Sequence, residues 1–130
     1  MTRRVLTALA LTGAAALAAA PAHARRAAAT TKKPPVKQIG VYDNYYLPAK
    51  LTVSRPTTFA WTWTDQVNDI HDVKLIKAPK GEKKFQSLEG TAGYLYKRTL
   101  KTPGVYKFIC TFHEADSMVM TITIRKPVSN

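Results

Sequence analysis

Short runs in which apolar and polar residues alternate, separated by turn-forming residues, dominate the chain from residue 36 onward. A period of two is typical of strands with one buried face, and within 58–64 it puts Phe59, Trp61 and Trp63 on one side. No stretch has a convincing helical period. The sequence therefore predicts an all-β fold in which two antiparallel sheets pack as a sandwich. The predicted strands cover residues 36–42, 51–53, 58–64, 71–76, 94–100, 105–111 and 118–124.

Residues 1–24 have the plan of a cleavable export signal, with a basic head, an apolar stretch and an Ala-x-Ala site that ends at Ala24. The stretch 5–20 is short and rich in alanine for a membrane span, although an uncleaved anchor is the alternative. Residues 2–6 also resemble a twin-arginine signal, but an ordinary signal head contains two basic residues as well. We expect a disordered basic linker over 25–35 and one domain over 36–127.

The chain carries 20 Lys and Arg against 8 Asp and Glu, a formal charge of +12, and loss of residues 1–24 would lower this to +10. Because the basic residues are scattered and an exported protein rarely meets nucleic acid, we expect no nucleic-acid partner. The charge favours a partner protein with an acidic docking face or association with an anionic envelope surface. Solubility alone is an equally good explanation. The expected location is periplasmic, extracellular or in the cell envelope.

The single cysteine, Cys110, is unusual for an exported chain, which commonly has paired cysteines or none. A lone thiol in an oxidising compartment is either buried and inert or has a specific role. In the run before it, Tyr106 and Phe108 share its face, whereas Lys107 faces the other way. The pattern predicts that Cys110 points inward at the end of a core strand.

Two more metal-binding side chains follow Cys110, since His113 comes three residues later and Met118 five after that. If His23 leaves with the signal, His71 is the remaining histidine. Two imidazoles, a thiolate and a weak axial thioether are typical of an electron-transfer copper site. Taken singly, each residue is explained at least as well without a metal: Cys110 as a buried thiol, the histidines as solvated loop residues and Met118 as a core residue. Taken together, they fit one metal site better. Zinc is a weaker alternative, because a carboxylate would have to replace the thioether.

The segment 103–118, PGVYKFICTFHEADSM, resembles the cupredoxins, most closely the plastocyanin and pseudoazurin group. Upstream, Leu51-Thr52-Val53, Trp61, Asp65 and His71 occur in the family's order, so that the resemblance covers about 36–124. It implies a Greek-key β-sandwich of seven to eight strands with one type 1 copper. It also implies that His71, Cys110 and His113 bind copper in a plane and that Met118 binds axially.

The chain departs from the family pattern at three places. Asp72 follows the upstream histidine, where the family often has an asparagine that helps to fasten the cysteine loop. In the family a glycine usually precedes or follows the axial methionine, whereas here Ser117 and Met120 are found beside this position. A subgroup with a shorter loop has its methionine at the position of Asp116, and Met120 is the fallback axial ligand. Alignment on the final strand favours Met118.

We expect a carrier of single electrons between redox partners, which is not an enzyme, and we expect it to be a monomer. Three histidines are too few for the additional coppers of an oxidase. Two alternatives stay open. One is an envelope protein that delivers or stores copper, since ligands alone do not distinguish this from electron transfer. The other is a metal-free sandwich used for adhesion, which would have no need of an inward cysteine beside His113.

Overall fold

The computed structural model describes residues 32–54 and 56–126, and it contains eight strands in that part of the chain. They are β1 (Val36–Tyr42), β2 (Tyr45–Leu47), β3 (Lys50–Ser54), β4 (Thr57–Trp63), β5 (Lys74–Lys77), β6 (Leu95–Leu100), β7 (Gly104–Ile109) and β8 (Val119–Arg125). Each predicted strand is present, with ends shifted by up to three residues. The sequence reasoning missed β2, because three residues directly after a turn are too few to show a period.

The predicted export signal and most of the predicted linker, residues 25–31, lie outside the described residues, as does residue 127 at the end of the predicted domain. Linker residues 32–35 are described and have no regular secondary structure. In the described part of the chain, no helix has the length and apolar character that a membrane crossing requires.

The strands form two sheets of four, in the orders β2-β1-β4-β6 and β3-β8-β7-β5. The predicted all-β sandwich is confirmed. Each sheet also contains one parallel pair, β1 with β4 and β3 with β8, so that both sheets are mixed rather than purely antiparallel. Alternation within a strand does not reveal strand direction. These parallel partners are brought together by crossings between the sheets.

The core lies between the two sheets and is built from alternate residues of their strands. Phe59, Trp61 and Trp63 of β4 are buried, and the Trp61 ring lies 5.5 Å from that of Phe108 on the opposite sheet. Burying an aromatic or aliphatic side chain of this size contributes about 1.5–3 kcal/mol. The core therefore rigidly supports the strand ends, among them the end of β7, beyond which Cys110 lies.

Candidate metal centre

Cys110 directly follows β7, and its side chain is fully buried and unpaired with any other cysteine. Tyr106 and Phe108, on the same face of the strand, are also fully buried, whereas Lys107 is exposed, as the alternation predicted. Burial raises the pKa of the Cys110 thiol, because an apolar surrounding disfavours the thiolate. A cation bound at the sulfur would stabilise its thiolate form.

His71 precedes β5 and is held by its own main chain. Its N–H donates to the Gly90 carbonyl at 3.0 Å, its carbonyl accepts from the Gly90 N–H at 2.9 Å, and the indole N–H of Trp63 donates to the same carbonyl at 3.2 Å. A Cβ on Gly90 would lie 2.2 Å from the Tyr94 ring, so this close approach requires glycine. The contact fixes the backbone of a fully buried histidine.

The loop 110–118 closes on itself through backbone hydrogen bonds. The Cys110 N–H donates to the Met118 carbonyl at 3.1 Å, and the Met118 N–H donates to the His113 carbonyl at 3.2 Å. Ser117, where the family commonly has glycine, has a φ of +59°, a left-handed conformation that favours glycine. The loop therefore holds His113 close to Cys110.

The sulfur of Cys110 lies 3.7 Å from Nδ1 of His71 and 3.6 Å from Nδ1 of His113. The three potential ligand atoms lie within 4.8 Å of one another, and they form the one such group found among the described residues. A first-row metal bound about 2.0–2.1 Å from nitrogen and about 2.3 Å from sulfur, at angles of about 110–120°, separates the two atoms by about 3.6–3.8 Å. The donor set fits a single metal ion.

Met118 and Met120 are both buried, but they occupy different levels of the sandwich. Met120 pairs with Phe108 across β7 and β8, and Val119 pairs with Ile109. The backbone bond between Cys110 and Met118 continues this register by one residue. Met118 is therefore the methionine opposite Cys110, and Met120 lies one pair deeper in the core.

Asp72 fastens the cysteine loop at the position where the family often has asparagine. Its carboxylate accepts the Thr111 N–H at 2.7 Å, the Thr111 hydroxyl at 2.7 Å and the side-chain N–H of Gln86 at 2.6 Å. Its carbonyl accepts the buried Tyr46 hydroxyl at 2.5 Å. Although Asp72 differs from the family's asparagine, it still connects the His71 segment to Thr111, the residue after Cys110.

Asp43 is a site residue that the sequence reasoning missed, because it was interpreted only as a turn former. From the turn between β1 and β2, its Oδ1 lies 2.9 Å from Nε2 of His71. This hydrogen bond, followed by those from Asn68, holds the pKa of the Asp43 carboxyl well below its usual range. The pairing connects residues 28 positions apart, so no local pattern could have indicated it.

His113 has less support than His71. Its Nε2 lies 3.8 Å from the carboxylate of Asp69, which is 65% exposed, and its own side chain is 14% exposed. The adjacent Phe112 is half exposed. His113 is therefore the histidine of the cluster through which the site approaches the protein surface.

Comparison with known protein families identifies the group to which these features belong. The family described as "Copper binding proteins, plastocyanin/azurin family" matches residues 38–125. The chain belongs to the plastocyanin/azurin family. The resemblance to cupredoxins is confirmed, and copper is the cofactor indicated by both this family and the His-Cys-His cluster.

Individual members of the family and solved structures agree with this assignment. A plastocyanin from Prochlorothrix hollandica is 36% identical over 90 residues, which cover 64% of this chain and 65% of that protein, slightly less than two thirds. Pseudoazurin from Methylobacterium extorquens AM1 matches with a TM-score of 0.61 and 20% identity, over 71% of this chain and 76% of that one. A copper-containing nitrite reductase from Thermus scotoductus SA-01 matches with a TM-score of 0.59 and 23% identity, over 75% of this chain but 24% of that one. The two structural matches show a shared fold.

Proposed function

We propose that this chain is an exported type 1 copper protein that carries single electrons between redox partners. The observation that supports this most directly is the convergence of His71 and His113, through Nδ1, on the buried sulfur of Cys110. When bound, copper supplies a one-electron Cu(I)/Cu(II) couple. In this proposal, His71, Cys110 and His113 are its principal ligands and Met118 is the axial ligand.

The register of β7 and β8 supports Met118 over Met120 as the axial ligand. Met118 is opposite Cys110 and shares backbone hydrogen bonds with both Cys110 and His113, whereas Met120 is opposite Phe108. A thioether at the level of the thiolate is in the position that a weak axial ligand requires. Substitution of Met118 by leucine is therefore expected to change the visible spectrum more than the same substitution at Met120.

The protein's own contribution is a ligand frame that stays rigid in both oxidation states. The backbone pairing with Gly90 holds His71, the loop bonds hold His113, and the Asp72 carboxylate holds Thr111. Burial of Cys110 excludes water from the sulfur. A frame with little freedom to rearrange makes electron transfer fast, because little reorganisation accompanies the change in charge.

An electron carrier suits this chain better than an enzyme does. The likeness to the nitrite reductase covers 24% of that chain, so it concerns one domain-sized part of a larger protein. The sequence has three histidines, two of which are in the cluster, and this leaves too few for a further copper site. The chain has one metal centre in this proposal and no site for bond-making chemistry.

Docking would occur where His113 and the half-exposed Phe112 reach the surface. The net charge, +12 over the whole sequence and +10 without residues 1–24, favours a redox partner with an acidic docking face, or an anionic envelope surface. The sequence pattern of residues 1–24 supports export to the periplasm, cell envelope or exterior. In this proposal the protein acts as a monomer.

The first experiment is to add Cu(II) to the purified protein and record its visible and electron spin resonance spectra, with Cys110→Ser as the control. An intense thiolate-to-copper band that is absent from the control is the expected result. Loss of colour with Cu(I) retained would instead support copper delivery or storage. A protein that binds no copper would contradict the proposed function.

A further inference from the structure

The Asp43 carboxylate joins the β1–β2 turn to the connection that carries Asn68, Asp69 and His71. Its Oδ1 accepts from the main-chain N–H groups of Asn68 and Asp69 at 3.0 and 3.2 Å and lies 2.9 Å from Nε2 of His71. Its Oδ2 lies 3.1 and 3.0 Å from the main-chain and side-chain nitrogens of Asn68. One side chain on the β1–β2 turn thus holds both the connection that leads to His71 and the imidazole itself.

The bond to His71 selects one form of its ring. A neutral imidazole carries one N–H, and an ionised carboxylate can only accept a hydrogen bond. With Asp43 as the acceptor, the proton is on Nε2, and Nδ1 keeps a free lone pair. Nδ1 is the atom that lies 3.7 Å from the Cys110 sulfur. The carboxylate therefore prepares the nitrogen that faces the metal position, before any metal is bound.

Among the residues that the structure describes, the second histidine of the cluster, His113, has no equivalent arrangement. The nearest carboxylate, that of Asp69, is 3.8 Å from Nε2 of His113, beyond hydrogen-bonding distance, and is mostly exposed. The contact to His71, in contrast, involves a fully buried histidine and a carboxylate that is 28% exposed. The structure thus gives the two imidazoles different kinds of support.

We propose that Asp43 is the positioning residue of the metal centre, which holds His71 in the tautomer with the proton on Nε2. This inference rests on the proposed function, because it assumes that Nδ1 of His71 binds copper. Carboxylates that orient metal-binding histidines in this way typically contribute a factor of about 10–100 to metal affinity. The alternative is that Asp43 only fastens the loop through Asn68 and Asp69.

The test begins with the copper-free protein, since the tautomer does not depend on the metal. Nitrogen-15 NMR of the ring nitrogens, at a pH where the imidazoles are neutral, is expected to show His71 with its proton on Nε2. Asp43→Ala is expected to give a mixture of tautomers, and Asp43→Asn, whose amide oxygen can still accept, is expected to restore the single form. Asp65→Asn removes the same charge from an exposed residue of the connection and is expected to change nothing.

Copper affinity provides the second measurement. Asp43→Ala is expected to bind copper about 10–100-fold more weakly, Asp43→Asn less so, and Asp65→Asn as the wild type does. Asn68→Ala removes a side-chain bond to Asp43 but leaves the contact between Asp43 and His71. It therefore weakens the fastening of the loop, although the main-chain bonds of Asn68 and Asp69 to Asp43 remain, and it is expected to keep the His71 tautomer.

Three results would overturn the inference. They are a wild-type protein with the His71 proton on Nδ1, an Asp43→Ala protein that keeps both the wild-type tautomer and affinity, and an Asn68→Ala protein that loses the tautomer to the same extent. The first needs no variant, so the test does not depend on whether Asp43→Ala folds. A wild-type protein with the expected tautomer but no thiolate-to-copper band would contradict the proposed function instead.

Discussion

Replacing Asp72 by alanine removes a buried carboxylate that accepts three hydrogen bonds. Gln86 is exposed and regains water, and the Thr111 hydroxyl can turn towards solvent because that residue is only partly buried. The Thr111 N–H, however, loses its partner, which costs about 1–3 kcal/mol, and the missing carboxyl leaves a cavity. We expect the free energy of unfolding to fall by about 2–4 kcal/mol.

Asp72→Asn is the matched variant for this prediction. Its amide oxygen can still accept the Thr111 N–H, and its NH₂ group can donate to the Thr111 hydroxyl oxygen, so we expect a loss below about 1 kcal/mol. Urea denaturation of the copper-free, reduced protein measures both values. For a domain of this size, a loss of 2–4 kcal/mol lowers the midpoint by about 1–3 M. Amide hydrogen exchange at Thr111 should accelerate in Asp72→Ala only.

The reasoning is refuted if Asp72→Ala unfolds within about 0.5 kcal/mol of the wild type, which is the range of an ordinary surface substitution. Equal losses in the two variants would also contradict it, since they would mean that the negative charge, rather than the accepted hydrogen bonds, stabilises the loop. Either result would remove the physical basis for treating Asp72 as the equivalent of the family's asparagine.

Three further predictions concern single positions. Gly90→Ala should lower the free energy of unfolding by about 1–3 kcal/mol and weaken copper binding, because a Cβ would lie 2.2 Å from the Tyr94 ring. Urea titration measures the first effect and copper competition the second. Wild-type values in both assays would contradict the close approach. Burial raises the pKa of Tyr106 to about 12 from 10.0, so the native state favours the protonated phenol. The stability that the protonated Tyr106 phenol contributes is complete below pH 10 and is lost as the pH rises through about 12, by at most about 1.4 kcal/mol per pH unit. Urea titrations at alkaline pH should show this loss in the wild type and not in Tyr106→Phe. Ser117→Gly should stabilise the protein by about 0.5–1 kcal/mol, because the φ of Ser117 is +59°. Asn44→Gly should stabilise it less, although the φ of Asn44 is +68°, since asparagine tolerates the left-handed conformation. The reverse order of the two variants in thermal unfolding would argue against strain at Ser117.

The sequence by itself determined the faces of the strands and hence which residues form the core. Alternation is a local property, and it correctly placed Phe59, Trp61 and Trp63 on a buried face and Cys110 on an inward one. Cys110 and His113 are three residues apart in one loop, so their proximity followed from the sequence alone.

Only the tertiary structure decided the contacts that make these residues a site. His71 meets Cys110 across 39 residues, and the parallel pairing of β3 with β8 joins the third strand to the last. From the sequence, Asp43 is only a turn former, yet its carboxylate holds the ring of His71. Asp72 is only a departure from the family pattern, yet its carboxylate holds the main chain of Thr111. Such bonds depend on how the sheets pack, and no local period carries that information, because hydrogen bonds between distant segments form only when folding brings those segments together.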